Sequence, residues 1–410
     1  MEPDAPVAVV GAGLAGLSCA VALQAAGVPV TVFEAGDGVG GRVRTDQVDG
    51  FLLDRGFQVA LTAYPELRRQ LDVDDLDYQA FDPGAMVWRG DKGSVVGDPF
   101  RLPSTLLSTA RAPIGTPLDK LRIARLRARL RGVDPVALLG GPDVSTADAL
   151  RDAGFSDTIV RRFFRPLAGG IQLDPDLHDS RRMFDVIFRM LADGDSVVPA
   201  AGMQAIPAQL AGRLATGTVR LNARVAATSP TSVGLRDGEE IEASSVVIAT
   251  DGPAASELLN MDTVLGKAVG CVYFAADEAP TSSKMVILDG TGAGPVLNAA
   301  VMSNVAPTYA PDGRHLIVAA LPGEVGSDIE TLSRRQLRGW WGPQVDDWTH
   351  LATYRIPHAQ PRQLPPFSPK QGVAVADGRF VCGDHRDTAS IQGALYSGRR
   401  CADAVLAARS

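Results

Sequence analysis

The chain has 410 residues, which is more than one hydrophobic core usually supports, and this length predicts two structural lobes. Its 45% hydrophobic and 21% charged residues are typical of a globular protein and exclude a largely disordered chain. The formal net charge of -7 argues against a nucleic-acid partner, because the phosphate backbone would repel the protein.

The first predicted element is a short strand that runs into a glycine turn. Val7–Val10 is an apolar run typical of a buried parallel strand, and an alanine-rich helical segment follows the turn. Gly11 would allow a tight turn, Gly13 would let a pyrophosphate approach the backbone, and Gly16 would let the helix pack closely on the strand. The turn thus matches the G-x-G-x-x-G pattern of dinucleotide-binding folds, with the sequence Gly11-Ala12-Gly13-Leu14-Ala15-Gly16.

The second predicted strand, Val28–Phe33, ends at an acid. Glu34 follows the glycine turn by about twenty residues, where a carboxylate accepts hydrogen bonds from the hydroxyls of an adenosine ribose. A carboxylate at this position also repels a 2'-phosphate, which disfavours NADP. Together the two strands, the turn and the acid predict a Rossmann-like dinucleotide site.

A second glycine-rich turn, Gly38–Thr45, comes directly after the acid and is not needed to hold NAD alone. It contains Gly40-Gly41-Arg42, followed two residues later by Thr45. In this feature the chain resembles the flavin-containing amine oxidoreductases, the superfamily of monoamine oxidase, protoporphyrinogen oxidase and phytoene desaturase, which carry a G-G-R-x-x-T turn after their ribose acid. The resemblance implies FAD as the dinucleotide.

The segment Gly50–Gln58 extends this resemblance, because it is similar to the family segment that passes beside the isoalloxazine ring. Turns rich in Asp and Gly are common in proteins. A plain hairpin with an exposed acid and base is therefore the alternative interpretation of this segment.

The middle of the chain predicts further sheet. Val219–Val225 has the pattern of a strand, Ser232–Ile241 that of a hairpin, and Val246–Thr250 that of another strand. The resemblance implies that the backbone at Val225 meets the adenine and that the strand end at Ala249 lies near the nucleotide. Without the resemblance, these residues would pass as ordinary sheet.

A strand ending in Gly-Asp, Phe380–Asp384, precedes the last predicted helix. The resemblance implies that Asp384 bonds the ribitol and that the helix N-terminus at Ile391 faces the pyrimidine edge of the flavin. Helix-end N–H groups would stabilise the negative charge that hydride transfer leaves there. An ordinary amphipathic terminal helix is the alternative. Small residues would keep the helix face slim enough for the ring: Gly393, Ala394 and Ser397.

The resemblance implies one set of FAD-contacting residues, and the flavin is expected to be non-covalent. No cysteine lies in surroundings that match the covalent attachment of monoamine oxidases, and Cys382 is more simply a small buried residue. The implied set is Gly11, Gly13, Leu14, Ala15, Gly16, Glu34, Ala35, Gly40, Gly41, Arg42, Gly56, Phe57, Gln58, Val225, Ala249, Gly383, Asp384, Ser390, Ile391 and Ala394.

The predicted fold class is α/β, with an α+β second lobe. A discontinuous, Rossmann-like FAD-binding domain with a parallel sheet is expected from residues 1–60, 196–258 and 355–410. A substrate-binding domain of mixed sheet and helices is expected from residues 61–195 and 259–354, over the flavin.

Bulky apolar residues recur at helical spacing in the second lobe, in Arg161–Gly170 and Met183–Met190. They can be plain core or can line a substrate cavity. The predicted helix 119–131 carries leucines among six cations. A solvated helix face and a peripheral contact with an anionic membrane are both compatible with this pattern.

No catalytic residue is identified beyond the flavin, which itself accepts the hydride in such enzymes. Lys267 or Lys284 could lie near the flavin N5, although a surface position is the plainer interpretation for both. His385 could bond the flavin or the substrate, or could lie on a solvent-facing loop.

Ser390 stands where amine oxidases commonly have an aromatic residue of the amine cage, so the motif resembles that of carotenoid desaturases more closely. The expected function is FAD-dependent removal of a hydride from a C–H bond of an apolar small molecule, with oxygen or a quinone as electron acceptor. A cage built from Tyr354 or Trp341 would keep amine oxidation open. An isomerase without net redox change and a non-catalytic flavoprotein are two further hypotheses.

The compartment is expected to be cytoplasmic. The four cysteines stand far apart in the sequence without a C-x-x-C pair, which predicts neither a metal site nor a redox-active dithiol. No apolar stretch approaches 18 residues, and the apolar N-terminal run leads into the glycine turn instead of a cleavage site.

Overall fold

The computed structural model of the chain describes residues 5–292, 294–375 and 377–409. The remaining residues of the two predicted domains, 1–4, 376 and 410 in the first and 293 in the second, lie outside the described residues. The described strands are β1 (Val7–Val10), β2 (Val30–Phe33), β3 (Thr45–Val48), β4 (Phe51–Asp54), β5 (Ala60–Leu61), β6 (Tyr78–Ala80), β7 (Gly84–Arg89), β8 (Lys92–Gly97), β9 (Ser196–Pro199), β10 (Val219–Arg220), β11 (Val225–Thr228), β12 (Ser232–Leu235), β13 (Glu240–Glu242), β14 (Ser245–Ile248), β15 (Gly266–Ala276), β16 (Val286–Asp289), β17 (Asn298–Val301), β18 (His315–Pro322), β19 (Thr349–Pro361) and β20 (Phe380–Val381).

The α-helices are α1 (Leu14–Ala25), α2 (Pro65–Gln70), α3 (Leu106–Arg111), α4 (Pro117–Arg131), α5 (Thr146–Asp152), α6 (Asp157–Ile159), α7 (Gly170–Gln172), α8 (Arg181–Asp193), α9 (Ala205–Gly212), α10 (Gly252–Leu259), α11 (Met302–Val305), α12 (Ile329–Trp341) and α13 (Ile391–Arg409). A π-helix spans Val160–Gly169. Short 3-10 helices span Pro103–Thr105, Ala137–Leu139, Pro307–Tyr309, Pro343–Asp347 and Asp384–Arg386.

A five-stranded parallel sheet has the order β10-β2-β1-β14-β20. Its strands come from three distant parts of the chain, as expected for a discontinuous Rossmann-like lobe. All four residues of β1 are buried because the sheet is covered on both faces. Val9 packs in the core that contains α1, and Val10 packs in the core that contains β12.

A seven-stranded mixed sheet with the order β19-β15-β18-β17-β16-β7-β8 forms the second large layer. β16 and β7 pair in parallel, and the other neighbours pair antiparallel. Helix α12 packs with this sheet in an apolar cluster that contains all the tryptophans: Trp88, Trp340, Trp341 and Trp348. The α/β class with a mixed second sheet is thus confirmed.

Helices α4, α5 and α8 and the π-helix pack beside these sheets around an aromatic core. Its rings are Phe155, Phe163, Phe164 and Phe184. The predicted helix 119–131 is confirmed as α4. It begins at Pro117 because Thr116 and Asp119 form a reciprocal capping box.

The single strand predicted over Val219–Val225 is wrong. The structure has two short strands there, β10 in the parallel sheet and β11 in an antiparallel sheet with β12 and β13. Between them the chain turns through Asn222, whose φ of 54° lies in the left-handed region. The N–H of Ala223 donates to the carbonyl of Glu34, so this turn lies next to Glu34.

The hairpin of β3 and β4 ends at Asp54, whose side chain is buried rather than exposed. Its carboxylate accepts hydrogen bonds from the Thr45 hydroxyl (2.6 Å), the Met203 N–H (2.9 Å) and the Tyr309 hydroxyl (3.0 Å). The Tyr273 hydroxyl on β15 donates to the backbone carbonyl of Asp54. Burial raises the pKa of Asp54 to about 6, although these donors act in the opposite direction.

Replacing Asp54 by Asn should change the pH dependence of stability. A carboxyl group with a raised folded-state pKa favours the folded protein at low pH, and this contribution is lost as the pH rises from about 4 to about 6. The difference from the ordinary value of 3.8 corresponds to about 3 kcal/mol. We expect the midpoint temperature of the parent protein to fall relative to that of Asp54→Asn between about pH 4 and pH 7 in scanning calorimetry. Other groups titrate in both proteins and cancel, so parallel profiles would contradict the assignment.

Candidate functional site

One continuous cavity of about 1350 Å³ is lined by residues of both large sheets and of helices α3 and α4. Every FAD-contacting position implied by the sequence resemblance lines this cavity except Gly16. A pocket for one drug-sized ligand usually has a volume of about 300–1,000 Å³, and this cavity is larger. The cavity therefore has room for a dinucleotide and a second molecule.

The geometry of the first glycine turn explains why glycine occupies positions 11, 13 and 16. Gly11 has a φ of 108°, and a Cβ on it would lie 2.8 Å from the carbonyl oxygen of Ala249. A Cβ on Gly16 would lie 1.9 Å from the carbonyl oxygen of Gly11, so Gly16 serves the packing of α1 on β1. Gly13 differs, because it lines the cavity and a Cβ on it would meet no atom of the protein within 4 Å. Its missing side chain leaves space for a ligand at the backbone, which fits a dinucleotide pyrophosphate.

Glu34 holds its carboxylate at the end of β2 by two backbone hydrogen bonds. The N–H of Ala12 donates to one oxygen and the N–H of Gly36 donates to the other, each at 2.8 Å. Each carboxylate oxygen keeps further acceptor capacity for a hydroxyl. The acid therefore stands at the cavity wall with a fixed orientation that fits a ribose.

The second glycine turn meets the C-terminal segment across the cavity. Gly40 has a φ of 116°, and its N–H donates to the carbonyl of Ala12 in the first turn. The guanidinium of Arg42 donates to the carboxylate of Asp384 and to the carbonyl of Ala359, both at 2.7 Å. This contact joins residues that lie 342 positions apart in the chain.

Asp384 is buried and remains a carboxylate because of its arginine partner. Burial acts to raise its pKa, but the charge of Arg42 and the hydrogen bond from it lower the pKa below the ordinary value. For Arg42, burial acts to lower the pKa, and the pairing with Asp384 raises it overall. The cavity wall therefore presents a paired acid and base.

Helix α13 begins at the cavity, as the sequence predicted. The Ser390 hydroxyl accepts a hydrogen bond from the N–H of Gly393 (3.0 Å) and so caps the helix. Ser390, Ile391 and Ala394 line the cavity. The expected role of Gly393 and Ser397 beside the ring is wrong, because neither lines the cavity. A Cβ on Gly393 would lie 1.9 Å from the carbonyl oxygen of Thr388, and the buried Ser397 hydroxyl accepts from the N–H of Gly383.

The part of the cavity away from the glycine turns is an apolar chamber. The two bulky segments seen in the sequence divide between chamber and core. Phe164 and Phe184 are buried in the aromatic core. The chamber wall consists of Tyr64, Phe163, Leu167, Ile171, Leu173, Ile187, Phe188 and Leu191. Four of these residues lie outside the two bulky segments and were not predicted from the sequence: Tyr64, Ile171, Leu173 and Leu191.

Asn298 on β17 is a polar residue in this apolar wall. It lines the cavity, is 5% exposed, and its side-chain carbonyl oxygen is buried without a hydrogen-bond partner in the described part of the chain. A buried acceptor without a donor costs free energy, so a ligand N–H or O–H would relieve this cost. This residue was not predicted from the sequence, because a single Asn on a strand is ordinary.

The candidate lysines do not line the cavity. Lys284 is exposed, as its plainer interpretation predicted. Lys267 is 8% exposed and forms a buried ion pair with Asp179, so a surface position is wrong for this residue. His385 is also buried rather than solvent-facing, and burial lowers its pKa to about 4.

Neither residue suggested for an amine cage lines the cavity. Trp341 belongs to the tryptophan cluster behind the seven-stranded sheet. The Tyr354 hydroxyl donates to Asp46 at 2.8 Å. A cage from these two residues is therefore wrong.

The comparisons with known proteins agree with this geometry. The sequence profile of the family described as flavin containing amine oxidoreductase matches residues 14–406. A coproporphyrinogen III oxidase of Propionibacterium freudenreichii subsp. freudenreichii is 31% identical over 179 residues, 41% of this chain and 32% of the relative. A hydroxysqualene dehydroxylase of Sinorhizobium fredii is 28% identical over 221 residues, 50% of this chain and 48% of the relative. The chain thus aligns with about a third to a half of the length of these relatives.

A solved structure, the cyclohexylamine oxidase of Brevibacterium oxydans, superposes with a TM-score of 0.73 at 17% identity. The alignment covers 99% of this chain and 100% of the other. The similarity extends over both large sheets and indicates a shared fold.

We expect Gly13→Val to fold and to bind no FAD. The φ of -73° at Gly13 suits any residue, and the added side chain would meet only the space of the pyrophosphate. Flavin content after purification, measured by absorbance, should fall to the background, while the midpoint temperature of the flavin-free protein stays that of the flavin-free parent.

Gly339→Val is the matched control, because this exposed helix glycine also leaves a Cβ without contacts within 4 Å. It should keep its flavin. A yellow, fully loaded Gly13→Val protein would contradict the assignment of the glycine turn.

Proposed function

Because this chain belongs to the flavin-containing amine oxidoreductases, we propose that it binds FAD non-covalently and removes a hydride from a C–H bond of an apolar small molecule. The observation that carries the proposal is the single cavity that joins the glycine turns to the apolar chamber. The proposed domains are those expected from the sequence, with residues 1–60, 196–258 and 355–410 holding FAD. Strand β19 runs across the boundary at residue 355, so the two domains would share it.

Each end of the dinucleotide has a suitable set of residues in the proposed complex. Glu34 would accept from the adenosine ribose, and Gly13 and Gly41 would let the pyrophosphate approach the backbone. Asp384, held by Arg42, would accept from the ribitol. The N-terminus of α13 at Ile391 would stabilise negative charge on the ring edge.

The chamber suits a substrate that is mostly apolar. Bound FAD would take up the hydride, and the chain would exclude water and orient the reacting C–H bond. Asn298 would accept a hydrogen bond from an N–H or O–H group of the substrate. A porphyrinogen carries N–H groups and a hydroxylated isoprenoid carries an O–H group, so both fit this arrangement.

A flavin amine oxidase that forms an imine and hydrogen peroxide is the second candidate, supported by the fold shared with cyclohexylamine oxidase. It is less favoured, because Ser390 replaces an aromatic cage residue and the other suggested cage residues do not line the cavity. The proposed electron acceptor is oxygen or a quinone.

Anaerobic titration of the FAD-loaded protein tests the reaction class. We expect the flavin absorbance to bleach with coproporphyrinogen III, and not with cyclohexylamine. Readmitted oxygen or an added quinone should restore the absorbance and identify the acceptor. Bleaching by cyclohexylamine alone would establish the amine oxidase instead, and no bleaching by any compound would contradict both. Acid precipitation should leave the flavin in the supernatant if it is non-covalent.

Five apolar side chains on α3, on α4 and shortly before α3 are each more than half exposed: Phe100, Leu106, Leu107, Leu118 and Leu121. We call this set the mouth patch. Phe100, Leu106 and Lys120 also line the cavity, which therefore opens at this patch. Residues 99–131 contain eight cations and one acid, Asp119, which is buried.

We propose that the mouth patch docks on an anionic membrane and admits apolar substrate from it. Apolar side chains among cations are the pattern of a peripheral membrane surface. Among the described residues, no helix combines the length and apolarity required to span a bilayer. Contact through the mouth patch would be reversible and would weaken as salt increases.

Cosedimentation with vesicles tests this contact. We expect the parent protein to bind vesicles of phosphatidylglycerol and phosphatidylcholine, and to bind phosphatidylcholine alone much less. The double variant Leu106→Ser/Leu121→Ser should bind several-fold less, because it removes two exposed apolar contacts. The matched control Leu265→Ser/Leu364→Ser changes two exposed leucines elsewhere and should bind like the parent. Equal binding by all three proteins would rule out the mouth patch.

A further inference from the structure

A second cavity, of about 510 Å³, lies on another side of α4, between α4, α5 and α8. It shares no lining residue with the main cavity in the described part of the chain. Ile123, Ala124 and Arg127 of α4 face the main cavity. The second cavity is lined by Arg122, Arg125, Leu126, Arg129, Ala149, Leu150, Ala153, Phe155, Arg181, Phe184 and Asp185.

The charge in this second cavity is strongly unbalanced, with four guanidinium groups and one carboxylate. The carboxylate of Asp185 is shared between Arg129 (3.5 Å) and Arg181 (3.2 Å). Burial raises the pKa of Asp185 above the ordinary value, although both arginines act to lower it. Its single charge cannot neutralise the arginines around it.

The other two arginines have even weaker partners. Arg122 lies 3.6 Å from Asp119, whose oxygens already accept hydrogen bonds from Thr116 and Ser156. Arg125 is exposed and has no ion pair or hydrogen bond within the described residues. Guanidinium groups in such a cluster repel one another, and a bound anion would remove this repulsion.

The rest of the cavity lining is apolar. Leu126, Leu150, Phe155 and Phe184 are buried side chains of the aromatic core. A guanidinium binds phosphate or carboxylate through paired hydrogen bonds, and the apolar side chains offer contact to hydrocarbon. The combination matches a ligand with an acidic group on an apolar body.

We propose that the second cavity binds an anionic amphiphile, a molecule with a phosphate or carboxylate group on a short hydrocarbon body. This site is separate from the proposed flavin reaction and does not depend on it. The ligand can come from solution or can be the head group of an anionic lipid, since α4 also carries Leu118 and Leu121 of the mouth patch. The shared chemistry is the acidic group held by arginines.

Isothermal titration of the FAD-loaded protein with octyl phosphate, below its micelle concentration, tests the proposal. We expect octyl phosphate to bind more tightly than either octanol or inorganic phosphate. Arg125→Gln/Arg129→Gln should weaken this binding by at least about tenfold, because two charge-assisted contacts are lost. The single variant Arg125→Gln breaks no ion pair within the described residues and should show a smaller loss in the same direction, with the fold intact.

The matched control is Arg111→Gln/Arg131→Gln, which removes two nearby cations outside the second cavity. It should bind octyl phosphate like the parent. An equal loss in both double variants would overturn the site, since the effect would then be general electrostatics. Equally tight binding of octanol or of inorganic phosphate would overturn the amphiphile. Octyl phosphate binding requires no turnover, so failure of the flavin proposal leaves this test unchanged.

Vesicles containing phosphatidic acid distinguish the two sources of the ligand. If Arg125→Gln/Arg129→Gln lowers vesicle binding as much as octyl phosphate binding, the occupant is a lipid head group. If only octyl phosphate binding falls, the occupant is a soluble amphiphile. Both results support the proposal, which is overturned if neither binding changes.

Discussion

The main cavity depends on the packing of the last helix of the chain against the first. A Cβ on Gly398 of α13 would lie 2.2 Å from the carbonyl oxygen of Ala15 on α1, so this approach requires a glycine. The Ser18 hydroxyl of α1 donates to the carbonyl of Leu395 at 2.8 Å. With the two helices fixed in this way, the ion pair of Arg42 with Asp384 can form. The N-terminus of α13 then meets the glycine turns at one cavity.

The two ends of that cavity divide the work of the proposed reaction. The glycine-turn end offers backbone groups and carboxylates, which would select a dinucleotide by hydrogen bonds. The chamber end offers mostly aromatic and aliphatic side chains, which would exclude water and accept an apolar molecule. The side-chain carbonyl of Asn298, which has no hydrogen-bond partner among the described residues, would give this end one directional contact in the proposed reaction. Directional contacts decide which C–H bond faces the flavin.

The sequence predicted features whose cause is local. Gly16 is required by a close contact with the carbonyl oxygen of Gly11 within one strand, turn and helix, and Glu34 follows at a spacing set by the same unit. The sequence did not predict the partners of Lys267 or the burial of His385, because these depend on segments that meet only in the folded chain. The break at Asn222 was missed for a related reason, since a polar residue in a short strand pattern does not reveal a left-handed turn.

The order of strands in the parallel sheet has a consequence for how the protein is made. β1 and β2 leave the ribosome early. Strand β20, which completes their sheet, and helix α13, which packs against α1, are synthesised only after residue 379. During that interval the edge of β14 lacks its neighbour, and the apolar face of α1 lacks α13. Enclosure of the dinucleotide is therefore a late event in biogenesis, and a nascent chain halted before β20 would require protection by chaperones.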